Sequence, residues 1–260
     1  MKTIDVVSID TLIYKKMMNG ATIQGIYNRT IHLFVNQHIV TLGYQIGRGK
    51  HHVVINENAP FHNLVVGTTV CIVDDILIMG DIMFRIKKEA IETFKTYDET
   101  FQMNGMIYQT LKELKQFMVE HHDQHIFRYE KDNPWMVYQF GEIETFLNSP
   151  DYATARNILG LGMGLTPLGD DVLTGYILAL NTIGKKVFWL DKLITVAWVK
   201  TCRLSAQNLS DTYQRFYPDI YIDMIKDIFI NHQIEKAKVV LALGKTSGAG
   251  ILTGFIHGLM

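Results

Sequence analysis

The stretch LGLGMGLTPLGDD, Leu159 to Asp171, sets four glycines and a Thr-Pro step before two adjacent aspartates, then runs into the apolar sequence VLTGYILAL. Glycine-rich turns ahead of helix N-termini are common anion sites, because unpaired backbone N–H groups converge there and no β-carbon blocks a ligand. A capped helix explains TPLGDD without any function. Thr166 suits an N-cap, Pro167 the first helical position, and Asp170 and Asp171 the positive end of the helix dipole. Capping does not explain Gly160, Gly162 and Gly164, since one glycine is enough to end the preceding helix.

Two nucleotide motifs fail on inspection. A dinucleotide fingerprint needs a strand before its glycines, whereas ATARNI reads as helix, and two carboxylates would repel a pyrophosphate. In LGKTSG, Gly244-Lys245-Thr246 resembles the end of a phosphate-binding loop, but the position of the first glycine, 239, is valine. Lys245 remains available to an anion as a point charge.

A comparison inside the chain is more informative. Gly169 to Leu180, GDDVLTGYILAL, aligns without gaps to Gly248 to Leu259, GAGILTGFIHGL, at an offset of 248 minus 169, or 79, with six of twelve positions identical. Small residues recur at four-residue spacing in both, Gly175 and Ala179 in one and Gly254 and Gly258 in the other, on one side of each helix. Glycine inside a helix costs about 1 kcal/mol against alanine, so close backbone packing is the expected compensation. The expectation is that the two helices cross at these residues and bring both glycine-rich N-termini to one cleft; chance similarity between two apolar helices is the alternative. In the cleft reading Lys245, Thr246, Ser247 and backbone amides supply positive and donor groups. Asp170 and Asp171 would bind a cation such as Mg2+ or orient an amide substrate.

Other stretches offer less. TCRLSAQNLSD carries Arg203 and Ser205, of which Arg203 suits bidentate capture of a carboxylate or phosphate, against the commoner fate of a solvated helix face. GRGKHH, from Gly47 to His52, reads as a solvated loop rather than an anion site. HHDQH, from His121, has metal-ligand residue types but falls at an expected helix C-terminus, where cationic and polar residues are favoured. Asp74-Asp75, between two apolar runs, reads as a hairpin turn. No serine lies in a nucleophile elbow, no HExxH occurs, and neither Cys71 nor Cys202 has an activating context, so covalent catalysis has no support.

The elements that must position these residues divide the chain. From Ala21 to Ile86, short β-branched runs separated by Gly, Asn and Asp predict a small β-barrel or sandwich. Beyond Ile86 the period changes: Ile107, Leu111, Leu114 and Met118 form one helical stripe, and PDYATARNI, VFWLDKLITVAWVKTC, DIYIDMIKDIF and IEKAKVVLAL predict further helices. The expected organisation is α+β, with a β-rich domain over 1–86 and a mainly helical domain over 87–260 that carries the TPLGDD and GKTSG segments.

With 260 residues and 48% hydrophobic side chains the chain can bury a sizeable core. Lys plus Arg (25) nearly balance Asp plus Glu (26), which gives no basis for nucleic acid or a membrane surface as partner and favours a small molecule or protein. The start, MKTIDVVSID, does not read as a secretory signal, no apolar run is long enough to span a bilayer, and two distant cysteines make no disulfide framework; the cytoplasm is the expected compartment.

GLGMGLTPLGDDVLTGYILAL resembles the signature usually written GLGpGLTPsGDDfLaG, and ALGKTSGAGILTGFIHGL resembles its C-terminal partner, in the AllH-like family typified by a subunit of oxamate carbamoyltransferase. The resemblance implies one subunit of a cytoplasmic multisubunit assembly. That assembly would convert oxalurate and phosphate to oxamate and carbamoyl phosphate in anaerobic allantoin and purine nitrogen catabolism. A non-catalytic scaffold or regulatory subunit of that assembly, or a stand-alone metal-dependent enzyme using the paired aspartates, are the alternatives. Carbamoyl transfer needs an oxyanion and phosphate cradle. By resemblance Gly162, Gly164, Thr166, Arg203, Ser205, Thr246 and Gly248 would bind the anion or substrate, and Asp170, Asp171, Lys245 and Ser247 would carry the chemistry. The Ser-Thr-Arg-Thr phosphate motif of the ordinary carbamoyltransferases is absent, and the family pattern has an acid where this chain has Gly250 and a proline where it has Met163.

Overall fold

A computed structural model describes residues 3–121 and 133–260. The first compact unit runs to Thr96 and takes in Phe216–Asp219; the second comprises Tyr97–Arg215 and Ile220–Met260. The HHDQH stretch beyond His121 lies outside the described residues.

In the first unit, β1 (Thr3–Asp10) leads into the short helix α1 (Thr11–Met17), capped by the Asp10 carboxylate accepting from the Leu12 and Ile13 amides. The strands β2 (Ala21–Ile26), β3 (Thr30–Val35), β4 (His38–Tyr44), β5 (His52–Ile55), β6 (Thr69–Val73), β7 (Ile76–Met79), β8 (Ile82–Ile86) and β9 (Ile91–Glu92) follow. The sheet runs β5-β4-β3-β2-β6-β7-β8-β1 and closes because β1 also pairs with β5, with β9 added beside β1. Closure decides between barrel and sandwich. It depends on β1, whose parallel register with β8 (Thr3↔Met83 to Val6↔Ile86) and antiparallel register with β5 (Val6↔Ile55, Ser8↔Val54) leave neither edge of the eight strands open. Ile4, Ile23, Leu33, Leu42, Val53 and Phe84 fill the interior. The Asp74-Asp75 pair is the β6–β7 turn, with positive φ at both residues (49° and 60°), a conformation that the short polar Asp tolerates.

The second unit contains α2 (Gly105–His121), α3 (Pro134–Asn148), α4 (Tyr152–Ile158), α5 (Leu168–Thr182), α6 (Trp189–Lys200), α7 (Arg203–Tyr213), α8 (Asp219–Lys226, its first residue counted with the first unit), α9 (Glu235–Leu241) and α10 (Ser247–Leu259). The stripe Ile107, Leu111, Leu114 and Met118 of α2 is buried, as the 3.6-residue period requires. No described helix is long and apolar enough to cross a membrane.

Helices α5 and α10 form the centre of this unit, running side by side in the same direction. A β-carbon on Gly175 would lie 1.8 Å from the Ile251 carbonyl oxygen, and one on Gly254 would lie 1.9 Å from that of Val172. These contacts are reciprocal at the offset of 79, since Gly254 answers Gly175 and Ile251 answers Val172. Thr174 and Thr253, also equivalent, each donate to the carbonyl four residues back, Asp170 at 2.8 Å and Ala249 at 2.7 Å. The likeness extends outward: the seven-residue helices α4 and α9 precede the two loops, and Gly169 and Gly248 press their α-carbons against the carbonyls of Ile158 and Val240. The α5 and α10 contacts are therefore those of two helices related by an approximate twofold axis, each preceded by a loop and a short helix, with loops of different length.

Because a carbonyl oxygen of a rigid helix cannot move aside, Gly175→Ala and Gly254→Ala each force the pair apart. Denaturant unfolding is expected to show a loss of about 3 kcal/mol or more for either; a loss below about 1 kcal/mol, the size of a surface substitution, would contradict this contact.

Candidate active site at the paired helix N-termini

Three of the loop glycines have left-handed backbones, with φ of 76° at Gly160, 127° at Gly162 and 112° at Gly164. At Gly160 a side chain would also strike the Lys200 carbonyl at 2.7 Å, and at Gly162 the Leu168 amide nitrogen at 2.6 Å. The loop 159–167 is thus folded tightly onto the ends of α6 and α5, and this accounts for the glycines that capping left over. Thr166 is not the cap expected of it: the N-cap position falls on Pro167, no side chain caps the helix, and the Thr166 hydroxyl turns elsewhere.

The two adjacent aspartates face different surroundings. Asp170 is buried, and its Oδ1 accepts from the Gly160 N–H at 2.7 Å while its Oδ2 accepts from the Thr201 hydroxyl. Burial pushes its pKa up, against the Thr201 and Gly160 bonds, the nearby Ser205 hydroxyl and the Lys200 charge. Ser205 Oγ itself is buried without a hydrogen bond of ordinary geometry. Asp170 therefore staples the glycine loop to the junction of α6 and α7, where Cys202 Sγ also donates to the Leu165 carbonyl at 3.2 Å.

Asp171 points between the two repeats. Thr166 Oγ1 donates to its Oδ2 at 3.2 Å and lies 3.0 Å from Ser247 Oγ, the first residue of α10. The three side chains join the N-termini of α5 and α10, as the repeat predicts. Both helix dipoles present their positive ends here, which favours negative charge. Burial outweighs them: it pushes the Asp171 pKa up to about 8, with the Asp170 charge adding to the rise and the Ser247 and Thr166 hydroxyls opposing it. At neutral pH the carboxyl carries its proton, and it sits where a developing anion would be stabilised.

The remaining residues singled out in the sequence are placed less centrally. Lys245 is exposed on the turn before α10, and Thr246 is the backbone N-cap of that helix without a side-chain cap bond. The Gly248 amide donates to the Leu243 carbonyl at 3.0 Å, so that N–H serves the helix start rather than a ligand. Arg203 is exposed in the first turn of α7, and Gly164 is exposed at the loop tip. The two carboxyls of the acidic pair have separate partners, and among the described residues no group of three His, Cys, Asp or Glu side chains converges.

Sequence reading overlooked Thr201, Gln139 and Tyr221. Gln139 is buried, with its Nε2 2.9 Å from where a Gly162 β-carbon would be. Tyr221, on α8, has its phenol pushed well above the ordinary value by burial and by the Asp171 charge. Nothing in their spacing links positions 139, 201 or 221 to 170 and 171.

A raised carboxyl pKa makes a signed statement about stability. Folded, Asp171 keeps its proton to about pH 8, whereas unfolded it loses it near the ordinary 3.8. Between those values the folded state binds the extra proton, so stability falls as pH rises, by up to about 1.4 kcal/mol per pH unit, and levels off above the folded pKa. The Asp171→Asn side chain mimics the neutral acid and cannot ionise. Denaturant unfolding is expected to show a shallower decline for this variant, which is the more stable protein at about pH 9; parallel curves for the two proteins would refute the assignment.

Comparison with curated proteins and with solved structures gives no match. The family comparison does, and its match spans the α4 terminus, the glycine loop, α5 and everything up to the end of α10. Over residues 158–259 the chain matches the model of one family, described as oxamate carbamoyltransferase subunit AllH, and that segment is similar to this family.

Proposed function

We propose that the chain is the subunit of an oxamate carbamoyltransferase-like assembly that handles the proton in carbamoyl transfer, with oxalurate and phosphate as substrates. The family match supports the subunit role. The observation that carries the chemical reading is the buried Asp171 carboxyl, hydrogen-bonded at the meeting point of two helix N-termini, where burial shifts it toward its neutral form.

In this reaction a phosphate oxygen attacks the carbamoyl carbon, the C–N bond to the oxamate nitrogen breaks, and that nitrogen must take up a proton. A neutral acid with a pKa near the working pH suits the last step. Asp171 gives its proton to the leaving nitrogen and recovers one from the attacking hydrogen phosphate, so the exchange balances. The helix N-termini and the Ser247 and Thr166 hydroxyls favour the negative charge of phosphate and of the tetrahedral intermediate. Lys245 and Arg203, both exposed, add positive charge on flanking segments. Asp170, Gly160 and Thr201 hold the loop in shape and touch no substrate.

Met163, 77% exposed, and Leu165 leave apolar surface on the same loop. That surface suits contact with another subunit, and it favours a second reading in which the loop docks partner chains and does no chemistry. Phosphate-dependent formation of carbamoyl phosphate from oxalurate, in an assembly containing either wild-type or Asp171→Asn chain, separates the two. Asp171→Asn is expected to lower turnover by about 10²-fold or more with assembly intact, and Ser247→Ala by a smaller factor. Unchanged turnover would leave the loop a docking element, and no turnover in any mixture would remove the substrate assignment.

A further inference from the structure

The repeat is symmetric in backbone but not in chemistry, because the position equivalent to Asp171, at 171 plus 79, is Gly250. These two residues also face each other. A β-carbon on Gly250 would lie 2.9 Å from the Asp171 β-carbon, 2.9 Å from Leu168 Cδ1 and 3.4 Å from the Leu168 carbonyl oxygen. The Leu168 methyl is the end of a flexible side chain and can swing away. The Asp171 β-carbon cannot, since it is fixed to the backbone of a helix held at this distance by Gly175 and Gly254.

Equivalent residues in mutual contact lie on the axis relating the two repeats, and at the spacing found in this chain a β-carbon on Gly250 would crowd that of Asp171. We infer that Gly250 is a positioning residue of this chain: by leaving the space beside Asp171 empty it seats the Asp171 carboxyl between Thr166 and Ser247. A methyl group at 250 would push against Asp171 where its backbone has least freedom, tilting the carboxyl away from Thr166 at 3.2 Å and changing its burial. The charged and titratable groups around Asp171 are Asp170 on its own helix and Tyr221 on α8, while α10 faces it with Gly250 itself. The inference deepens the reading above and rests on it for the consequence in turnover, but its first readout does not involve turnover.

Gly258 supplies a control on the same helix, since a β-carbon there would meet the Ala179 β-carbon at 2.7 Å, at the opposite end of the crossing from Asp171. The full chain, labelled with carboxyl-13C aspartate, is titrated by NMR, and the Asp171 signal is assigned as the one missing from Asp171→Asn. Gly250→Ala is expected to move the midpoint of that titration by about one pH unit or more, while Gly258→Ala leaves it in place. In the assembly, the pH profile of turnover shifts with it and kcat falls about tenfold or more for Gly250→Ala alone. Equal behaviour of the two variants, whether both shift or neither does, overturns the inference.

Should Gly250→Ala fail to fold, the double variant Asp171→Gly/Gly250→Ala decides the matter, because it removes the opposing β-carbon. Recovery of folding supports the contact, and a double variant no better than the single one overturns it. A shifted titration in a protein without oxalurate turnover would sink the carbamoyltransfer reading and leave the positioning role standing. Turnover that needs Asp171 but ignores Gly250 would do the reverse.

Discussion

The close approach of α5 and α10 is the constraint on which the rest of the helical unit depends. Their backbones touch because Gly175 and Gly254 leave no side chain between one helix and the carbonyls of the other. At ordinary separations of about 8 to 10 Å, side chains would fill the crossing and the two N-termini would stand apart. At this separation Thr166 of one repeat reaches Ser247 of the other, and a carboxyl is enclosed between them. The parallel direction matters equally, because it brings two positive dipole ends to one place, an arrangement with no intrinsic stability of its own that favours negative charge arriving there.

Enclosure then sets the chemistry of each aspartate. Adjacent residues on a helix project about 100° apart, so Asp170 and Asp171 share a backbone and almost nothing else. Asp170 finds the Gly160 amide and the Thr201 hydroxyl on its side and holds the glycine loop. Asp171 finds two hydroxyls and little water, and burial raises its pKa. A dipeptide that looks like a cation ligand is therefore divided into a carboxyl that holds the loop and a carboxyl enclosed beside two hydroxyls. Asymmetry between the repeats has the same origin, since Gly250 occupies the place of a second Asp171.

Much of this was legible without coordinates. The strand runs between Ala21 and Ile86, the Asp74-Asp75 turn and the stripe of α2 follow from periodicities of 2 and 3.6 residues and from the tolerance of Asp for positive φ. The internal offset of 79 anticipated the crossing of α5 and α10, because glycine in a helix interior is disfavoured unless another backbone needs the space. The first strand was not legible as a barrel stave, although TIDVVSID has the composition of one: closure pairs Val6 with both Ile55 and Ile86, and such long-range registers leave no local signal. Helix α3 escaped for a similar reason, its buried Gln139, Ile143 and Phe146 giving too sparse a stripe.

The sequence by itself determined the kinds of element, the repeated helix and the short stretch that makes the candidate site, since these depend on side-chain period, backbone freedom and residue type, which are local properties. Tertiary structure decided the roles within that stretch. Whether a carboxyl is a staple or an acid depends on which donors surround it and how much water reaches it. Those donors, Thr201 for one aspartate and Ser247 for the other, arrive from distant positions only when the chain is packed. The pKa of Asp171 belongs to that packing, because desolvation acts on a folded interior and has no counterpart in the extended chain.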